Sequence, residues 1–127
     1  ENRDTFAIGI EEKQAVLKAA REFLDAEIRR DYPAVYACFA PSSPYARAHT
    51  YDEYLAWAKA SADHLADYRI VAVSYIQDNE NLDKYPDVEK IAQVEVEATF
   101  LNDETKSYSD LNIGFIFFKE RGQWYKS

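Results

Sequence analysis

The sequence predicts one α+β domain, in which three N-terminal helices pack on one face of a strongly curved antiparallel sheet. Apolar residues recur at helical spacing up to about residue 66 and alternate with polar ones beyond it. Helices first and strands last is the order of an α+β domain, since interleaved parallel strands would need a helix between each pair. The chain of 127 residues, 47% hydrophobic with only 3 Gly and 4 Pro, is long enough for one core and short for two.

Residues 1–10 read as an N-terminal extension and residues 11–127 as the domain. From Glu11 to Asp31 the positions Val16, Ala20, Phe23, Leu24 and Ile28 form the apolar stripe of a long amphipathic helix. Asp31 suits an N-cap and Pro33 the first turn, so Ala34 to Ala40 is expected to be a short second helix, ended by Pro41 and Pro44. Thr50 and Glu53 have capping-box spacing, and a third helix should run from Tyr51 to Ala62. Tyr68, Ile70, Ala72, Ser74 and Ile76 then alternate against Arg69, Val71, Val73 and Tyr75 as strand one. Residues 78–88 form a loop. From Glu89 to Leu101, Ala92, Val94, Val96, Ala98 and Phe100 share a buried face, with Gln93, Glu95, Glu97 and Thr99 opposite. Ser107 to Lys119 is the third strand, and Arg121-Gly122 turns it into a fourth at Gln123 to Lys126.

Fifteen Lys and Arg against 23 Asp and Glu give a net charge of −8, with no basic run, so nucleic acid is a poor partner. Cys38 is the one cysteine; it excludes an internal disulfide and a multi-thiolate zinc site, and it reads as a small interior hydrophobe with an inert thiol. His49 and His64 lack metal-site spacing and read as cap or surface residues; the acidic loop Asp78, Glu80, Asp83, Asp87, Glu89 fails the EF-hand template at Leu82. No metal and no cofactor are expected. No stretch has the length of a membrane span, and the compartment stays open between the cytoplasm and export after removal of a leader.

Phe23-Leu24, followed by the run from Arg30-Asp31-Tyr32-Pro33 to Phe39-Ala40-Pro41, resembles the opening of the nuclear transport factor 2-like superfamily. The ending Phe117-Phe118-Lys119-Glu120-Arg121-Gly122-Gln123-Trp124-Tyr125 resembles that family's last hairpin with its Gly-x-Trp. Order and spacing of these motifs carry the resemblance, which covers the chain from about Glu11 onward. It implies a cone whose bent sheet and helices enclose a pocket open at one end, and a homodimer. Its members include isomerases, dehydratases, ligand binders and interaction domains, so pocket residues must choose among them.

Isomerase-type chemistry needs a carboxylate base and a Tyr or neutral acid facing one apolar cavity, and Tyr36 and Asp110, with Asn112, are the nearest candidates. The face Leu111, Ile113, Phe115, Phe117 reads as the core, which leaves Asp110 and Asn112 on the outer sheet. The loop after the second helix holds Ser42, Ser43, Tyr45, Arg47 and His49 and no Asp, where the resemblance implies a catalytic base. Ten Tyr in 127 residues are the main compositional peculiarity. Tyr32, Tyr36, Tyr45, Tyr54 and Trp57 are expected to line an amphipathic pocket, with His49 at its mouth and Arg47 available to an anionic group. The outer face with Gln93, Glu95, Thr99, Phe118 and Tyr125 is the expected dimer surface.

These residues predict a non-catalytic domain that binds a small, partly apolar molecule. A cone filled by aromatic rings and used for protein contact is the alternative, and an isomerase- or dehydratase-like enzyme is the third reading. A void of roughly 300 Å³ or more with polar groups favours a ligand, and an enzyme further requires a carboxylate of raised pKa pointing into it.

Overall fold

Helices precede strands along the whole chain, as the change of period predicts. In the computed structural model the described residues are 2–127, with side chains described from residue 9. Helix α1 spans Asn2–Arg29, so its bounds take in most of the residues read as an extension. Helices α2 (Tyr32–Ala37), α3 (Pro44–Ala48) and α4 (Tyr51–Ala60) follow. Strands β1 (Asp63–Asp78), β2 (Lys90–Asn102), β3 (Tyr108–Glu120) and β4 (Gln123–Lys126) form one open, curved antiparallel sheet in the order β1-β2-β3-β4.

The helix ends follow local chemistry. Past the end of α1, Arg30 N–H bonds to Glu27 O and Asp31 N–H to Ala26 O, both at 3.0 Å, while Arg30 takes φ 54°. This is a Schellman ending with arginine where glycine is usual. The Asp31 carboxylate caps α2 by accepting from Ala34 N–H, and the Thr50/Glu53 capping box starts α4. The count of three helices needs correction. Pro44 starts a helix here instead of only stopping one, because it stands in the first turn, where no amide hydrogen is needed, and Ser43 caps that turn.

The core lies between α1 and the concave face of the sheet. Ala92, Val94, Val96 and Ala98 of β2, Phe117 of β3 and Leu65 of β1 meet Val16, Ala20, Phe23 and Leu24 of α1, with Val35, Tyr54 and Ala58 closing one side. The strict alternation read for β1 does not hold. Three register shifts, each placing one extra residue in β1, change the inward set to Leu65, Tyr68, Ile70, Val73 and Ile76, and leave Ala72 and Ser74 exposed. Such bulges bend a strand and increase its twist, which curves the sheet around α1. Tyr68, facing inward, donates to Asp25 Oδ1 at 2.7 Å; burial and that carboxylate push its phenol up to about 12.

Two expectations about faces are corrected. Leu111, assigned to the core face, is 53% exposed, because the inward row of β3 meets packing partners only from Ile113 on. Phe118, assigned to a dimer surface, is only 4% exposed, because residues 79–89 fold over that part of the outer face. Asn79 pins this loop by donating to Tyr85 O (2.8 Å) and Val88 O (3.0 Å), and Tyr85 and Val88 then cover Phe118.

Candidate functional site

Where α1 ends, the twist of the sheet opens a gap that the side chains do not close. Phe23 and Glu27 lie four residues apart on α1 and so project on one side, beside Leu24. Tyr54, Trp57 and Ala58 hold the same relation on α4, fixed in register by the capping box. Leu65 of β1, Phe100 of β2 and Phe115 of β3 form the floor. Together with Arg30, Tyr32, Ser61, Asp63 and His64, these residues line a half-open cavity of about 190 Å³. That is below the roughly 300 Å³ usual for drug-sized ligands, yet above the ~150 Å³ of an apolar cavity that admits benzene.

The walls are apolar and the mouth is charged, with its charges already engaged. Arg30 Nη2 donates to Asp103 Oδ1 at 3.2 Å, and His64 Nε2 stands 3.0 Å from Asp103 Oδ2. The bond from Arg30 holds the Asp103 carboxyl below its ordinary value. Asp63 accepts from Asn102 Nδ2 at 2.9 Å. The reading of His64 as a cap or surface residue is corrected: its side chain is 12% exposed and forms part of the cavity wall.

Glu27 is different. Burial pushes its carboxyl above the ordinary 4.5, opposed only by the charge of Lys126, and no hydrogen bond contributes. Among the described residues no fully buried side-chain oxygen or nitrogen lacks a partner. The unbonded carboxylate of Glu27 is therefore accessible, and Glu27 is one of the residues that line the cavity. Tyr54, 4% exposed, has its phenol raised by burial and by the negative charge of Glu27. Behind the wall, Lys126 Nζ lies 5.8 Å from the ring centres of both Phe23 and Phe115, and burial lowers its pKa.

The sequence-derived candidates divide into two groups. Tyr32, Tyr54 and Trp57 line the cavity, with Trp57 64% exposed at its edge. Tyr36, Tyr45 and His49 are absorbed into a ring cluster with Phe39, Tyr51 and Tyr54, in which Phe39 stacks on Tyr45 at 5.4 Å and Tyr45 meets His49 at 4.5 Å. The Tyr36 hydroxyl donates to His49 O at 2.7 Å. Arg47 is exposed on α3 and outside the cavity wall. Asp110 stands on the outer face, accepting from Thr99 Oγ1 at 2.8 Å, so it cannot serve a reaction in this cavity. Cys38 is half-buried, and burial with the charges of Glu22 and Glu27 raises its thiol pKa, which keeps it protonated.

Glu27, Arg30, His64, Phe100 and Phe115 were not singled out as site residues by sequence. The available signal was Glu27 itself, a carboxylate four residues after Phe23 on the apolar stripe of α1. No protein-family model matches the chain, and no curated protein matches it.

Proposed function

We propose that this chain is a binding module for a small, partly apolar molecule, held in the cavity between α1, α4 and the sheet of a nuclear transport factor 2-like cone. One observation carries this reading: an apolar cavity of about 190 Å³ is lined by Glu27, whose carboxyl group accepts no hydrogen bond among the described residues. An apolar lining with few convergent polar groups is the usual make-up of a ligand site. The volume suits a body of one aromatic ring and is too small to enclose a sterol. A ligand present at a hundredfold its Kd should raise unfolding stability by about 2.7 kcal/mol. Thermal-shift titration with single-ring aromatics therefore tests the reading. Stabilisation that disappears in Ala58→Leu, where added methyl groups occupy the cavity, is the expected result. Absence of any shift, or a shift undiminished in that variant, overturns it.

A second reading has its own support. Glu27 has the raised pKa required of a proton-transferring carboxyl, and the Tyr54 phenol lies close enough to feel its charge, so an isomerase- or dehydratase-like reaction would use these two in place of Asp110 and Tyr36. The filled-cone reading draws on the ring cluster of α2, α3 and α4, which occupies one end of the interior and leaves the cavity end open.

A further inference from the structure

We propose that the ligand of this cavity is a small aromatic amine, bound as its ammonium cation with the charge on Glu27 and the ring against Phe23, Tyr54 and Phe115. This deepens the ligand-binding reading and rests on it.

Three observations select a cation over an anion or a neutral molecule. The first is the balance of charges around the cavity. The carboxylates of Glu27 and Asp63 in the lining, and of Asp103 beside it, stand against the guanidinium of Arg30, which donates to Asp103, and His64 lies 3.0 Å from that same carboxylate, so negative charge predominates around the cavity. Glu27, half-buried, accepts no hydrogen bond among the described residues and has only the more distant charge of Lys126 acting on it, and a carboxylate so placed is satisfied best by an opposite charge that brings its own hydrogens.

The second is the wall. Phe23, Tyr32, Tyr54, Trp57, Phe100 and Phe115 line the cavity, and aromatic faces attract cations most strongly where water is excluded. The protein already uses two of these rings in that way, since the Lys126 ammonium sits within 6 Å of both Phe23 and Phe115. Lys126 opposes a second cation from behind those rings. It stands outside the cavity wall, and the charge of Glu27 acts on it in turn. The third is the long-range field: a net charge of −8 concentrates cations near the surface and repels carboxylates. Size sets the remaining limit, one ring with a short amine arm.

Calorimetric titration of the full chain at neutral pH with benzylamine, benzyl alcohol and benzoate tests the proposal, because the three share a ring and differ in charge. Benzylamine is expected to bind about tenfold or more tighter than benzyl alcohol, with benzoate weakest. Glu27→Gln should bring the amine and the alcohol to within about twofold of one another, and Glu27→Asp, which keeps the charge, should retain most of the preference. Equal binding of amine and alcohol, or tighter binding of benzoate, overturns the amine assignment and leaves the ligand reading standing. A preference for the amine that survives in Glu27→Gln also overturns it, since the charge would then be met elsewhere. Failure of all three probes to bind overturns both.

Discussion

The hairpin end of the sheet and the cavity end each withdraw carboxylates at least partly from water, and they treat them in opposite ways. At the hairpin, Glu120 is 2% exposed and accepts from Ser42 N–H at 3.0 Å and Ser42 Oγ at 2.5 Å. Nearby, Glu12 of α1 accepts from Lys119 Nζ at 2.9 and 3.2 Å and from Trp124 Nε1 at 3.2 Å. At the cavity, Glu27 receives no such donor among the described residues. Burial works against the charge of Glu12 as it does against that of Glu27, but the donors and the positive charges of Lys119 and Lys90 hold Glu12 below its ordinary value, whereas Glu27 rises above it. A buried carboxylate surrounded by donors is a fastening. One without donors remains open to a ligand or a proton.

The largest test of this contrast is at Glu120. Glu120→Ala removes the acceptor of a backbone amide and a hydroxyl that are both buried, since Ser42 is itself inaccessible. Leaving such donors unsatisfied costs ~1–3 kcal/mol each, so a loss of about 3 kcal/mol is expected. It should appear as a lower urea midpoint at unchanged slope. A loss below about 1 kcal/mol would mean that water replaces the carboxylate, and the hairpin end would then be no tighter than the cavity end.

Glu27→Gln should have the opposite sign. Its raised folded pKa means that the native state holds a proton at pH values where the unfolded chain, near 4.5, has released it. Wild-type stability from this group therefore falls as pH rises from 4.5 through the folded pKa, and at neutral pH the charge is a net cost. Replacing it by a neutral amide should stabilise the protein at neutral pH by roughly 1 kcal/mol, with the gap closing as the pH is lowered. Glu12 behaves in reverse: its contribution is full above 4.5 and is lost as pH falls through its lower folded value. Urea midpoints measured across pH separate the two. A Glu27→Gln variant less stable than wild type at neutral pH would mean that the carboxylate has a donor after all.

Both carboxylates show why the fold was more legible than the site. The elements follow from local signals that act within a few residues: the capping box of Thr50 and Glu53, the alternation from Ala92 to Ala98, the turn at Gly122. The bulges of β1 were hidden because they arise from the curvature of the whole sheet, not from a residue that marks them. Tyrosine content misled in a physical way. A tyrosine lines a cavity only if neighbouring rings leave it exposed to one, and at Tyr36, Tyr45 and Tyr51 other rings arrive first. Glu27 went unmarked because its chemistry lies in the absence of partners, and that depends on residues brought from α4 and three strands.

The smallest effect concerns the residue that joins α1 to the mouth of the cavity. Arg30 adopts φ 54° at a helix ending where glycine is free of strain, a conformation that costs a non-glycine residue about 1 kcal/mol. Arg30→Gly relieves that strain, loses the partly exposed bond to Asp103, and adds conformational entropy to the unfolded chain by up to about 1 kcal/mol. These terms nearly cancel, and a change within about 0.5 kcal/mol is expected in chemical denaturation. Such a small change would show that arginine is not retained there for stability. Its remaining role is to engage Asp103 together with His64 at the cavity mouth. The variant should therefore fold as wild type and leave Asp103 less neutralised, so that benzylamine binds equally well or slightly tighter. A stability loss beyond about 2 kcal/mol would instead make the Arg30–Asp103 pair a fastening like Glu120, and would move the boundary between the two ends of the molecule up to the mouth itself.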